Sequence, residues 1–153
     1  MQQETQFDLI VVGGGSLPPQ LYDRPHEDEL QPNRDRMEEQ VIHYCVAHGI
    51  PIIATCRGMQ YINVMFGGKL WYHPKLPVNR TRGVDHQVWL VKEQRNIWVN
   101  NYHSDCIYEE GLASCFEPLA IDRENHVVEA YGSDEMKILA LQWHPERRFE
   151  TAN

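Results

Sequence analysis

The chain has 153 residues, enough for one domain with its own core, and its 42% hydrophobic and 24% charged residues are the balance of a globular protein. A formal net charge of −8 argues against a nucleic-acid or anionic-membrane surface, and no apolar run approaches the roughly 18 residues of a membrane span. Four cysteines with no C-x-x-C pair disfavour zinc or a disulfide framework, and Met1–Gln6 lacks a basic region leading into an apolar stretch, so a cytoplasmic location is expected.

Phe7 to Val12 reads as a buried strand running into Gly13-Gly14-Gly15, and the proline-rich stretch from Ser16 to Pro32 reads as a loop. Asn33 is the expected helix N-cap, after which Met37, Val41, Tyr44, Cys45 and His48 recur at helical spacing. Gly49 should cap that helix and Pro51 stop it. A strand over 51–55, a tight turn at Cys56 and a helix over 57–66 ending at Gly67-Gly68 come next. Beyond an irregular loop from Trp71 to Arg82 lie five short candidate strands: Gln87–Lys92, Ile97–Asn100, Pro118–Asp122, Val127–Tyr131 and Lys137–Trp143. With no repeat and no composition break, residues 1–153 are read as one domain. Strand, helix, strand, helix and then strands predicts a three-layer α/β sandwich with a mainly parallel sheet, whose chemistry should gather at the carboxyl ends of the strands.

Ile52-Ile53-Ala54-Thr55-Cys56-Arg57-Gly58-Met59-Gln60 is the most informative segment. An apolar β-rich run meets a helix at a cysteine whose neighbours two residues away, Ala54 and Gly58, are small enough for backbones to crowd at a strained strand-to-helix turn. At a helix N-terminus the peptide dipoles favour a thiolate, so Cys56 is the candidate nucleophile, while Cys45, Cys106 and Cys115 read as small hydrophobes. A second apolar strand closes with Gln142-Trp143-His144-Pro145-Glu146. His144 is the candidate base and Glu146, two residues on in an extended chain, the carboxylate that orients it. His26, His43, His48, His73 and His126 read as solvated or structural, and His86 and His103 remain open. The glycine run lacks the lysine of a phosphate loop and the spacing of a dinucleotide fingerprint.

Taken in order, Val12-Gly13-Gly14, Arg34-Asp35 with Glu38, Gly49-Ile50-Pro51, Cys56-Arg57-Gly58-Met59-Gln60, Asn63-Val64, Gly67-Gly68, Val99-Asn100, His103 and Gln142 to Glu146 resemble the class I glutamine amidotransferase-like superfamily. Within it they are most similar to the gamma-glutamyl-gamma-aminobutyrate hydrolase (peptidase C26-like) group. The resemblance implies a flavodoxin-like fold and a cysteine hydrolase of γ-glutamyl amides with a Cys56–His144–Glu146 triad, needing neither metal nor organic cofactor. It implies an oxyanion hole from backbone N–H groups at Gly14 and Arg57. It also implies that Gln60, Asn101, Tyr102, His103 and Ser104 grip the glutamyl end of the substrate. Three departures stand out: Ala54 replaces a glycine, Ser16 replaces an aspartate, and Ser104-Asp105 replace a histidine and glutamine. The Tyr102-His103-Ser104 stretch instead resembles glutaminase subunits of aminobenzoate-type synthases, so the alternative expectation is a glutaminase delivering ammonia to a synthase partner.

The family's usual first strand and helix have no counterpart in the six residues before Phe7. The expectation is a short form, or one whose start is set too late, with the open edge at Phe7–Val12 covered by a partner or by self-association.

Overall fold

The computed structural model describes residues 10–13, 32–72 and 81–147. Its elements are β1 (Ile10–Val12), α1 (Pro32–His48), β2 (Ile52–Thr55), α2 (Arg57–Met65), β3 (His86–Leu90), β4 (Arg95–Val99), a 3-10 turn at Glu109–Gly111, β5 (Glu117–Asp122), β6 (Val127–Ser133) and β7 (Ile138–Leu141). Every strand read from the sequence is present, with ends shifted by a few residues at most.

Helix α1 opens at Pro32, which places the expected N-cap Asn33 inside the helix. Proline suits a first helical position because its φ is already helical and its missing N–H has no partner there anyway. Ile42 and Cys45, one turn apart, are the fully buried apolar side chains of this helix, while Met37 and Tyr44 stand exposed. Both helices end on a left-handed glycine. Gly49 has φ 66°, with Ile50 N–H donating to Cys45 O at 2.9 Å; Gly67 has φ 91°, with Gly68 N–H donating to Asn63 O at 2.8 Å. Glycine takes this backbone shape at least steric cost, and the six-to-one bond satisfies an orphan carbonyl.

The seven strands of the sheet lie in the order β1-β2-β7-β6-β5-β3-β4. Parallel pairing joins β1 to β2 and β2 to β7, and all other pairs are antiparallel. The mainly parallel sheet expected from the sequence is therefore corrected to a mixed one. The cause is connection length: α1 carries the chain from β1 across to β2, whereas residues 91–94, 123–126 and 134–137 are turns that can only reverse it. Each of these turns ends on a residue with positive φ: Gln94 at 51°, His126 at 57° and Lys137 at 54°.

Ile52 and Ala54 pair in register with Ile138 and Ala140, so all four side chains share one face. Met59 and Ile62 of α2 and Ile42 and Cys45 of α1 pack in the same cluster. Both helices thus cover one face of the sheet, and the described residues supply two of the three expected layers. A second, smaller core of Val88, Val99, Ala120 and Ala130 lies in the antiparallel half. There β3 pairs with β5 through just Trp89↔Ile121 and Leu90↔Ala120, although it pairs with β4 along its whole length. The His86/Val99 end of this hairpin is consequently able to peel away from the sheet plane.

Candidate active site

Three parallel strands deliver the chain to one end of the sheet. Gly13 follows β1, Cys56 follows β2, and His144 stands three residues beyond the end of β7. Gly14, the expected first oxyanion donor, lies outside the described residues. Cys56 sits between β2 and α2 with φ 50° and ψ −107°, a strained backbone for a residue with a side chain. Its N–H donates to Leu141 O at 2.8 Å, which continues the parallel ladder into the turn, and Gln60 N–H donates back to Cys56 O at 3.2 Å. Together these bonds fasten the turn to β7 on one side and to α2 on the other.

Burial pushes the Cys56 thiol up to about 11, against the pull of the Arg57 backbone N–H that bonds it and of the positive charges of Arg147 and Arg82; Asp105 adds to the rise. The thiolate expected from the helix N-terminus alone is thus outweighed by desolvation in the substrate-free protein. A base must take the proton when the thiol reacts.

His144, the base expected from the sequence, follows β7, the strand that pairs with the one leading into Cys56. It is buried, and its Nδ1 lies 2.6 Å from Glu146 Oε1. The carboxylate can only accept, so Nδ1 carries the proton and Nε2 is left as the basic nitrogen. Burial alone would raise the Glu146 carboxyl, but the bond from His144, its own backbone N–H and the charges of His144 and Arg147 hold it below the usual carboxylate value. The backbone of His144 is gripped as well. Asn100 Nδ2 donates to His144 O at 2.8 Å, and His144 N–H donates to Asn100 Oδ1 at 2.9 Å. Asn100, part of the stretch whose resemblance implied a hold on the substrate, thus clamps the His144 backbone from both sides. Tyr102 meets the His144 ring edge-on at 5.9 Å between centroids, with the Arg147 guanidinium 4.5 Å over the Tyr102 ring.

The expected substrate-gripping residues divide into two groups. Tyr102 is half-buried beside His144 and Ser104 is exposed, whereas Gln60, Asn101 and the His103 ring are packed inside. Gln60 Nε2 donates to Gln142 Oε1 at 3.0 Å and to Asp105 O at 3.1 Å. Asn101 Nδ2 donates to Thr81 O at 3.2 Å. His103 Nδ1 donates to Asp105 O at 2.8 Å, and its Nε2 lies 3.7 Å from Oε1 of Glu129, a fully buried carboxylate of β6. His86 Nε2 lies 3.6 Å from the same oxygen. The two histidines left open by the sequence thus converge on one buried carboxylate that sequence spacing gave no reason to select.

Comparison with known proteins identifies the family and the fold. Residues 4–146 match the family model described as Peptidase C26. A putative glutamine amidotransferase-like protein of Lactococcus lactis is 30% identical over 94% of this chain and 67% of its own length. The gamma-glutamyl-gamma-aminobutyrate hydrolase of Escherichia coli is 28% identical over 92% of this chain and 65% of its own length. Among solved structures, a glutamine amidotransferase from Thermotoga maritima superposes with a TM-score of 0.69 at 18% identity, covering 94% of this chain and 59% of that one. The chain spans about two thirds or less of these relatives' lengths. The structural likeness shows that the fold is the α/β fold of class I glutamine amidotransferases. With its family model matched across nearly its whole length, the chain belongs to the Peptidase C26 family, within the class I glutamine amidotransferase-like superfamily.

Proposed function

We propose that the protein is a cysteine-dependent hydrolase that cleaves a γ-glutamyl amide through a γ-glutamyl thioester on Cys56. The observation that carries this reading is the His144 Nδ1 to Glu146 Oε1 bond of 2.6 Å, at the sheet end where the strained turn presents Cys56. In the proposed reaction His144 Nε2 takes the thiol proton as Cys56 Sγ attacks the δ-carbonyl carbon. The oxyanion is held by the Arg57 N–H and by a backbone N–H at Gly14, donors that are each worth roughly 3–4 kcal/mol in such transition states. The C–N bond then breaks, and His144 passes its proton to the departing amine. His144 next removes a proton from water, whose oxygen attacks the thioester. The C–S bond breaks, glutamate leaves, and the sulfur recovers its proton from His144. Glu146 keeps the imidazole in the required tautomer and stabilises its cationic form without moving a proton itself.

An electrophilic glutamine analogue is expected to add one covalent group, on Cys56, and Cys56→Ala should abolish turnover with the fold intact. A label on Cys45, Cys106 or Cys115 instead would overturn the assignment. Turnover that rises only on addition of a synthase partner would favour the ammonia-delivering alternative over a self-sufficient hydrolase.

A further inference from the structure

Directly behind Cys56 lies a charged cluster for which the reaction above has no use. The Arg57 side chain is fully buried, with 0% exposure. Its two terminal nitrogens donate to Asp35 Oδ1 and to Glu38 Oε2, both on α1, and Arg34 Nε donates to Glu38 Oε1 at 2.7 Å. The Tyr61 hydroxyl, one turn along α2, donates to Asp35 O at 3.1 Å, and the Tyr61 ring lies 5.2 Å from the guanidinium. Four sequence features with no assigned chemistry, Arg34, Asp35, Glu38 and the side chain of Arg57, are therefore one network.

A buried ion network of this kind adds little net stability over apolar side chains of equal volume, because desolvation offsets attraction. What it does supply is fixed geometry, through a planar guanidinium held at both ends. That is what a strained backbone requires: a conformation such as Cys56 φ 50° persists only where its surroundings over-determine it. From the sheet side the restraint is the Cys56 N–H to Leu141 O bond. From the helix side it is Arg57, whose own backbone N–H faces the sulfur.

We propose that Asp35 and Glu38 are positioning residues which, by gripping the Arg57 guanidinium, fix the Cys56–Arg57 peptide so that its N–H faces the reacting sulfur and then the oxyanion. The oxyanion half of this statement rests on the γ-glutamyl hydrolase reading; the alignment of the peptide with the sulfur does not.

The charges that act on the Cys56 thiol include those of Arg147, Arg82 and Asp105, which every variant below leaves in place. A change in its titration on altering the network is therefore read as a change in the alignment of the Arg57 N–H. The decisive variant replaces the network with apolar groups of similar volume: Asp35→Leu, Glu38→Leu and Arg57→Met together. The pH midpoint of Cys56 alkylation by iodoacetamide, followed on the Cys56 peptide, is expected to move upward relative to the parent while the melting temperature stays within a few degrees. Turnover of a chromogenic γ-glutamyl amide should fall by roughly 10–100-fold in kcat with KM changed less than about twofold, the signature of a displaced transition-state donor. A folded triple variant with an unshifted midpoint overturns the proposal, and so does a loss of turnover at an unshifted midpoint, which would mean damaged packing only. Glu38→Gln, which removes one charge and keeps the volume, is judged by the same midpoint if the triple variant does not fold. Should the parent itself turn over no γ-glutamyl amide, the proposed reaction fails, but the alkylation midpoint still decides whether the network aligns the turn.

Discussion

Raising the pH around the substrate-free protein should expose the cost of burying its nucleophile. The Cys56 thiol is raised from 9.0 to about 11, burial being the largest cause. At neutral pH roughly one molecule in ten thousand then carries the thiolate. Two units between folded and unfolded values correspond to about 3 kcal/mol. Between pH 9 and pH 11 the unfolded chain has lost the thiol proton and the folded chain still holds it, so stability falls as pH rises. The contribution is complete below about pH 9 and gone above about pH 11. Cys56→Ala removes the titrating group, so the melting-temperature difference between parent and variant should shift by roughly 5–10 °C against the parent across that window. Groups present in both proteins cancel in that difference. Alkylation of the Cys56 peptide by iodoacetamide should likewise keep rising through pH 9 without a plateau. A midpoint at or below about 8.5 would refute the reasoning, because it would mean that the helix N-terminus or a neighbouring base outweighs burial before substrate arrives.

Asn100→Ala removes both bonds to the His144 backbone and leaves its buried N–H unpaired, while its C=O keeps the Arg147 N–H at 3.1 Å, so a loss of about 1–3 kcal/mol is expected in denaturant unfolding. Unchanged stability would show that another group takes over the clamp. Glu146→Gln should lower kcat/KM less than His144→Ala, since the carboxylate orients and the imidazole moves protons; equal or reversed losses in folded variants would reassign the two roles. Asn63→Ala should cost about 2–4 kcal/mol with little effect on kcat, because the Asn63 side chain, two turns along α2 from Cys56, donates to Lys69 O and Gly111 O and accepts from Ala113 N–H. A selective loss of kcat in place of stability would contradict that structural role.

The turn at Cys56 and the pairing of His144 with Glu146 were legible in the sequence because their geometry is local. A cysteine between an apolar strand and a helix, with Ala54 and Gly58 beside it, can hardly be placed otherwise, and His144 and Glu146 are two residues apart. Helix ends at Gly49 and Gly67 were legible for the same reason. Sheet direction was read from the sequence as mainly parallel, although a signal for the antiparallel half was present. Gaps of about four residues between the candidate strands near 93–96, 123–126 and 132–136 are too short for a crossover and imply hairpins. The turns carry Gln94, His126 and Lys137 where glycine or asparagine would have announced a positive φ. The burial of Gln60 and His103, and their joining to Gln142 and Glu129, depends on contacts between residues far apart in the chain, for which spacing offers no guide.

The mixed sheet has a consequence for the site. Asn100 follows β4, four strand positions away from β7, or about 19 Å in a flat sheet at the usual strand spacing. It nevertheless bonds the backbone of His144. The short β3–β5 ladder permits this, because Trp89, Leu90 and the Val91 N–H to Leu119 O bond of 3.0 Å tie one end of the hairpin to β5, while its His86/Val99 end lies outside that ladder and leads into Asn100. The chain from 100 to 108 is then pinned by the Trp71↔Cys106 and Tyr108↔Val127 bridges and by Val128 N–H donating to Ile107 O at 2.8 Å. His86 and His103 meet Glu129 on that same return path. The parallel strands thus present the cysteine and the histidine, and the antiparallel half folds over to hold the histidine in place. A substitution that flattened the hairpin would act on His144 from a distance, through Asn100, without touching the nucleophile.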